Sequence, residues 1–464
     1  MEAPTLLSNE IRHFASYPGL LPLRAHGKKA AGRKLSPGWS EVIYRHPSIA
    51  ILQDEGGNME LKPIHKCAIG LDVHQNLLTA CVVAERDDGE IVMEVKEFGG
   101  FKRDRRARAE WALQWKPDIV VMESTGIYWK SPYAALERVG IIPLVVNARY
   151  VRQVPGRKTD VSDAQWLAML ARCGLLSGSF LPPEELRNLR LVGRQRQKLS
   201  SMAASEKTRV HKFLTDAGIR LSVVVSDIHG QSAGLMIKCL IEGGTPEDAL
   251  KFASNRLKAS PEELHDALEG ELTENHRFIL RETLDHIQEL EARIARFDDV
   301  LRRGLEPFRW AVDLLQTLPS VDEIGASLMI IEIGVDMTAF GSADRLASWA
   351  GVCPGNNESA GKRKTGRIRK GNPYVRRLLC EMAHAASRSE SMFKRKYAGL
   401  VIRQGHKRSI IALAHKLLKI IFFMLSRREP YRDSTVDYEA LAVKRNAPRW
   451  IKKLIQFGYL HKAA

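Results

Sequence analysis

Residues 65–83 read H-K-C-A-I-G-L-D-V-H-Q-N-L-L-T-A-C-V-V, and the rest of the chain is organised around them. Two apolar runs, Cys67–Val73 and residues 77–83, are separated by His74, Gln75 and Asn76, and Asp72 is the one charge within the runs. Runs rich in Val, Ile, Leu and Ala suit strands buried on at least one face. A carboxylate inside such a run is costly unless a cation or hydrogen-bond donors compensate it. Asp72 therefore either has a partner elsewhere in the chain or caps the turn at His74.

Working outward, Asp87-Asp88-Gly89 marks a hairpin, and residues 91–98 alternate as a third strand. Residues 103–115 have helical character. Residues 118–122 form a fourth apolar run that ends at Glu123, 131–139 a short helix and 141–146 a fifth strand. A basic connection over 149–159 leads into a helix from Asp160 to about Ala171. A meander of three strands, then helix, strand, helix, strand, helix, is the element order of the ribonuclease H-like fold, a mixed sheet with helices on its faces.

Pro182-Pro183 closes this region. Residues 184–214 read as one long, basic helix. Residues 275–305 place apolar side chains at 280, 284, 287, 290, 294, 297 and 301, in steps of three and four. The two helices are long enough to pair as a coiled coil, within one chain or between chains. From Trp310 a mostly helical unit begins. Residues 318–325 with 326–333 suggest two helices around a glycine hairpin, either an ordinary helical hairpin or one that offers backbone N–H groups to a phosphate. The expected class is α/β plus α: a ribonuclease H-like mixed-sheet domain over 64–180, a helical coiled-coil connection over 181–309 and a helical domain over 310–428. A basic, loosely ordered extension (1–63) and a basic tail (429–464) flank these.

The chain has 71 Lys and Arg against 54 Asp and Glu, a formal charge of +17, which points to polyanionic partners, nucleic acid before a membrane surface. Its six cysteines include no C-x-x-C pair, which argues against a zinc site or a disulfide framework and suits a reducing cytoplasm. The most apolar run, 410–425, is interrupted by His415, Lys416 and Lys419 and falls short of the roughly 20 residues of a spanning helix. It reads as a buried helix, and no signal peptide opens the chain.

Four carboxylates stand out. Asp72 lies in the first strand, Glu123 at the exit of the fourth, and Asp160 and Asp163 at a helix start. The first and fourth strands of a ribonuclease H-like sheet are neighbours, so Asp72 and Glu123 share one end of it. Asp160 and Asp163, three apart, share one helical face. Converging carboxylates repel unless cations sit between them, and oxygen-only ligation suits Mg²⁺ or Mn²⁺. Two such ions about 4 Å apart activate the attacking oxygen and stabilise the leaving oxygen of a phosphodiester. Singly, Glu123 reads as a solvated strand end, Asp160 as an N-cap and Asp163 as a first-turn acid. Their order in a basic chain favours a nuclease-type site, with Arg157 and Lys158 beside it to orient phosphates.

The stretches G-L-D-V-H, V-M-E-S-T-G-I-Y-W and G-R-K-T-D-V-S-D-A-Q-W-L-A resemble the signature stretches of the DEDD transposases, a bacterial insertion-sequence family with a RuvC-like amino-terminal domain. The resemblance continues through L-P-S-V-D-E-I-G and W-A-G-V-C-P-G-N-N-E-S-A-G-K-R-K-T-G-R-I-R-K-G-N-P-Y-V-R-R-L-L, covering residues 65–175 and 310–390. It implies metal ligation by Asp72, Glu123, Asp160 and Asp163, and a nucleophilic serine at Ser359. A serine before Ala-Gly otherwise reads as a turn residue, and S-A-G-K departs from the S-G of many members. A phosphoserine link would store the bond energy for rejoining strands without ATP. The resemblance also implies a homo-oligomer, dimer or tetramer, in which the carboxylates of one subunit face the serine of another. It further implies an element-encoded guide RNA that selects the DNA.

From Gly355 to Arg377 eight cations, Lys362, Arg363, Lys364, Arg367, Arg369, Lys370, Arg376 and Arg377, face Glu358 alone, so nucleic-acid contact is expected there. Gly361, Gly366 and Gly371 read as keeping this loop pliable. Two alternatives remain, a RuvC-like structure-specific nuclease that uses water and a catalytically inactive nucleic-acid-binding remnant.

Overall fold

The computed structural model describes residues 51–53, 59–61, 63–151, 162–355, 357–359, 362–365, 367–433 and 438–460. Five strands, β1 (Cys67–Val73), β2 (Leu77–Glu85), β3 (Ile91–Gly99), β4 (Ile119–Glu123) and β5 (Leu144–Val146), form one sheet in the order β3-β2-β1-β4-β5. β1, β2 and β3 pair antiparallel, whereas β4 is parallel to β1 and β5 to β4. This is the ribonuclease H-like topology that the element order predicts.

Side-chain alternation divides the sheet into two buried faces. Ile69, Leu71, Val73, Val120, Met122 and Val145 share a core with Ala109, Trp111 and Ala112 of α1 (Lys102–Gln114) and Tyr133 and Leu136 of α2 (Lys130–Glu137). On the opposite face Ala68, Val121 and Val146 pack against Leu167, Leu170 and Ala171 of α3 (Asp163–Arg172), and Cys81 and Val83 against Ala164 and Ala168. Cover on both sides is why the central strands read as nearly unbroken apolar runs. Arg108, fully buried on α1, donates from Nη2 to the Pro132 carbonyl oxygen at 3.1 Å and ties α1 to α2. Burial pushes its guanidinium down to about 10, and Arg105 nearby adds to the shift.

Two long helices follow, α4 (Glu184–Asp216) and α5 (Glu274–Gly304). They pair within the chain and run antiparallel. Gly304 lies against Leu189, Arg196 pairs with Asp298 at 2.8 Å, Lys207 with Glu291 at 2.7 Å, and Asp216 with His276 at 3.2 Å. At their far end a helical insert packs Met236, Ile237, Leu264 and Leu268 against Val210, Leu214, Leu280 and Ile287.

The helical unit beyond includes α6 (Glu323–Ile333), α7 (Ala343–Ala350), α8 (Pro373–Ala386) and α9 (His406–Arg427). Among the described residues α9 is the helix long and apolar enough to cross a membrane, yet half of its apolar window is buried inside the fold. The turn before α6 corrects the expected glycine hairpin. Ser320 takes the left-handed conformation (φ 68°), and Gly325 sits inside α6, where its N–H donates to Asp322 Oδ1 at 2.7 Å. That N–H is thereby committed to an internal carboxylate and is withdrawn from any phosphate.

α4 is locked to this unit through Glu332, which is 1% exposed. Arg194 donates to both its carboxylate oxygens, at 2.8 and 3.0 Å, and Asn372 Nδ2 donates to Oε2 at 2.8 Å. Arg190 donates to the carbonyl oxygens of Ile331 and Glu332. Burial lowers the Arg190 guanidinium to about 10 against the pull of Glu332. For Arg194 burial acts in the same direction, but its two bonds to Glu332 outweigh it and hold the group above its usual value. Replacing Glu332 by Ala strands the buried Arg190 and the half-buried Arg194, so Glu332→Ala is expected to cost about 3 kcal/mol in denaturant titrations. Glu332→Gln keeps hydrogen-bond capacity and loses less. Equal stability of wild type and Glu332→Ala would show that the clamp contributes nothing.

Candidate active site

Parallel pairing sets Leu71 opposite Met122, so Asp72 and Glu123 are the next residues of neighbouring strands and leave the sheet at the same end. Gly70 is opposite Val121, and both belong to the face covered by α3. Strand alternation therefore puts Asp72 and Glu123 on that face as well. Both are half-buried. His74 Nε2 lies 3.2 Å from Asp72 Oδ2, and the Thr125 hydroxyl donates to Glu123 Oε1 at 3.2 Å. Among the described residues neither carboxylate is paired with a Lys or Arg.

α3 brings a third carboxylate to this edge. Its carboxyl end lies at the start of β1, where the Arg172 carbonyl oxygen accepts from the Ile64 and His65 N–H groups at 2.8 and 3.1 Å. Its amino end lies toward the other end of β1, because a Cβ added at Gly70 would sit 2.2 Å from the Ala164 carbonyl oxygen. Asp163, the first residue of α3, is thus carried to the end of the sheet that holds Asp72 and Glu123. The helix start differs from the expected Asp160. Ser162 caps it, accepting from the Gln165 N–H at 3.3 Å while the Gln165 side chain accepts from the Ser162 N–H at 2.9 Å. This S-x-x-Q capping box was present in the sequence and outcompetes an aspartate upstream. Asp160, Arg157 and Lys158 lie outside the described residues.

Ser359 closes β6 (Asn357–Ser359), which pairs antiparallel with β7 (Lys362–Thr365) so that Ser359 is opposite Lys362 at the tip of a hairpin. Lys362, Arg363 and Lys364 belong to β7. The hairpin continues through the Pro354–Ile368 bridge and the Gly355 N–H, which donates to the Arg367 carbonyl oxygen at 2.8 Å. At its neck Gly371 departs from the expected pliability, whereas Gly361 and Gly366 lie outside the described residues. Gly351 (φ 74°) and Gly371 press together so closely that a Cβ on Gly371 would fall 2.4 Å from the Gly351 nitrogen. Arg367, Arg369 and Lys370 are exposed on the return strand, and Arg376 is half-buried on α8. Arg377 pairs with Glu381 at 2.8 Å and donates to the Ser201 hydroxyl of α4.

Thr125 is the residue that sequence reading passed over, and His74 enters it only as the turn that Asp72 caps. Each stands two positions after a candidate carboxylate, which is the usable signal. A separate trio, His265, Asp266 and Glu269, brings ligating atoms within 4.8 Å of one another in the helical insert, where His265 already pairs with Glu247.

Comparison with known proteins is consistent across the chain. Residues 69–219 match a family model of DEDD transposases, and residues 312–398 match one described as the transposase IS116/IS110/IS902 family. A probable family 20 transposase of Pseudomonas aeruginosa is 33% identical over 330 residues, spanning 69% of this chain and 87% of that one. The transposase for insertion sequence element IS1111A of Coxiella burnetii is 23% identical over 400 residues, spanning 84% of this chain and 97% of its own. Among solved structures, Thermus thermophilus RuvC aligns with 24% of this chain and 99% of its own at 15% identity and a TM-score of 0.19.

The seating of α3 is open to a direct test. A Cβ at Gly70 would meet the backbone of α3 at Ala164 O (2.2 Å) and Ala168 N (2.5 Å), so it cannot be accommodated by a rotamer change. Gly70→Ala is expected to cost about 3 kcal/mol in urea unfolding. A loss below about 0.5 kcal/mol, the scale of an ordinary surface change, would contradict this packing.

Proposed function

The chain belongs to the IS110 family of DEDD transposases, and from that premise we propose that it cuts and rejoins DNA with carboxylate-held divalent cations and a serine nucleophile. The observation that supports this reading is that Asp72 and Glu123 leave neighbouring strands at one end and on one face of the sheet, with the helix that begins at Asp163 starting toward that end. Asp72 and Glu123 on neighbouring strands, with His74 and Thr125 beside them and, among the described residues, no paired Lys or Arg, fit a hard cation, although Asp72, Glu123 and Asp163 do not bring three ligating atoms within 4.8 Å of one another. Asp72, Glu123 and Asp163, joined by Asp160, would hold Mg²⁺ or Mn²⁺. Such ions, when bound, supply electrostatic stabilisation to the attacking and leaving oxygens of a phosphodiester.

The protein's own groups do the rest. His74 and Thr125 orient Asp72 and Glu123. Ser359 Oγ attacks the phosphorus; one P–O bond to the strand breaks as one to serine forms, and the hydroxyl proton ends on the released oxygen. The number of phosphoester bonds is unchanged, so a strand hydroxyl can reverse the step on a new partner without ATP. A serine hydroxyl is a weak nucleophile and needs neighbouring cations, which the basic hairpin strands offer at Lys362, Arg363, Lys364, Arg367, Arg369 and Lys370. Arg376, Arg377, Arg157 and Lys158 extend the same electrostatic track. The site is composite, with the carboxylates of one subunit facing the serine of another in a homo-oligomer. A guide RNA encoded by the element selects the DNA.

A denaturing gel with branched DNA, RNA transcribed from the flanking element and Mg²⁺ tests the chemistry. A protein–DNA adduct is expected with wild type and is absent from both Ser359→Ala and Asp72→Asn. Mixing the two inactive variants should restore adduct if the site is shared between subunits. Cleavage without an adduct, unchanged in Ser359→Ala, would remove the serine and leave a water-using nuclease.

A further inference from the structure

The end of the sheet that holds Asp72 and Glu123 also carries an apolar lip that the fold does not use. Phe101 is 73% exposed, Ile127 70% and Tyr128 39%. Phe101 stands just beyond β3, whose last residue Gly99 pairs with Leu77, while Ile127 and Tyr128 follow Glu123 beyond β4. Both loops touch the turn at His74–Asn76. A Cβ added to Gly100 would fall 2.7 Å from the Gln75 carbonyl oxygen, and the Tyr128 hydroxyl donates to Gln75 Oε1 at 3.4 Å. The same turn carries His74, the partner of Asp72. Lip and carboxylates are therefore parts of one continuous edge.

Charge beside the lip identifies what it meets. α1 opens with Lys102, Arg103, Arg105 and Arg106 against Asp104 alone, although the dipole at a helix start disfavours cations. Lys102, Arg103 and Arg106 are exposed. An exposed cationic helix start weakens the isolated helix and gains from an external polyanion. Aromatic and branched apolar side chains beside a cationic track are the means by which proteins hold unpaired nucleic acid, bases stacked on rings and phosphates on cations. Apolar side chains of the same kind also wedge between base steps.

We propose that Phe101, Ile127 and Tyr128 bind unpaired bases of the DNA strand whose phosphate lies at the carboxylates, with Lys102, Arg103 and Arg106 on its backbone. This rests on the carboxylate edge being the place of DNA cleavage. The lip keeps the strand out of the duplex stack beside the reacting phosphate, so a strand can be passed to a new partner without first re-pairing.

The test measures equilibrium binding by the full-length protein in EDTA, using fluorescence anisotropy. The probes are a duplex with a short mismatched bubble, the fully paired duplex and the bubble remade in RNA. Phe101→Ala combined with Ile127→Ser should weaken binding to the DNA bubble about tenfold and to paired duplex less than about twofold. Phe101→Trp and Tyr128→Phe should keep the bubble preference. Arg103→Ala combined with Arg106→Ala should weaken both DNAs alike and flatten the salt dependence by about two ions. Equal loss on bubble and duplex, or no loss on either, overturns the proposal; a loss confined to the RNA bubble overturns the assignment to DNA. Because binding is read without cleavage, failure of the serine adduct in the gel assay leaves this result separately readable.

Discussion

At Gly70 the backbone of α3 comes so close to β1 that no side chain fits between them, and the sheet domain depends on that contact. The helix is held at both ends: Ala164 and Ala168 against Gly70 near its start, and the Arg172 carbonyl against the Ile64 and His65 N–H groups at its finish. Arg172 also pairs with Glu85 of β2 at 2.6 Å. With both ends fixed, α3 has one direction across the sheet, antiparallel to β1. Its amino end then falls at the edge where Asp72 and Glu123 emerge. A helix start carries partial positive charge, so the element that delivers Asp163 also offsets some of the repulsion its carboxylate adds. Position and electrostatics follow from one small residue.

The second half of the chain hangs on a buried carboxylate. Glu332 gathers Arg194 from the long connecting helix and Asn372 from the foot of the hairpin. Asn372 also caps α8, its Oδ1 accepting from the Tyr374 and Val375 N–H groups, and its N–H donates to the Trp349 carbonyl of α7. One carboxylate thus joins the helix that leaves the sheet domain to the two helices between which the serine hairpin springs. An apolar replacement of the whole cluster could match its stability, since desolvation offsets most of the attraction in a buried ion pair. What an apolar cluster cannot supply is direction. The planar guanidinium of Arg194 meets both oxygens of Glu332, which fixes the angle as well as the distance between α4 and α6.

The strand order was legible from residues 65–146, because a sheet covered on both faces imposes apolar runs, and any charge within them is conspicuous. Asp72 was singled out by that rule. Glu332 stands in an equally apolar run, residues 326–333, and the same rule applies to it; its partners at 190, 194 and 372 are too distant in sequence for spacing to reveal. The α3 start was misplaced by three residues because two capping signals compete there, and the reciprocal hydrogen bonds of Ser162 and Gln165 win over a lone aspartate. Gly371 was read, with Gly361 and Gly366, as keeping the serine loop pliable. Gly351 and Gly371 are there for the opposite reason, since two backbones in contact leave no room for a side chain. Composition cannot distinguish a glycine that loosens a loop from one that tightens it; only the neighbour across the gap decides.

These contacts support the carboxylate edge and the serine hairpin in different ways. Asp72 and Glu123 emerge from the two central strands, whose neighbours Leu71 and Met122 are completely buried, so the carboxylate edge moves only if the core opens. Ser359 sits at the tip of a two-stranded hairpin, and an isolated hairpin is marginally stable in water. Its foot is pinned by the glycine neck and Asn372, while β7 reads Lys362, Arg363, Lys364 in succession. The division suits strand exchange. If the proposed chemistry holds, the metal-binding groups would keep their geometry through every step, whereas a serine that holds a cut strand would be ordered by that strand and then carry it. A nucleophile built into the sheet would have the precision and lack the travel. On the proposed reading, a nucleophile on a charged hairpin with a pinned foot would be ordered by bound nucleic acid, so that the two halves of the chemistry would meet only when a strand is present to join them.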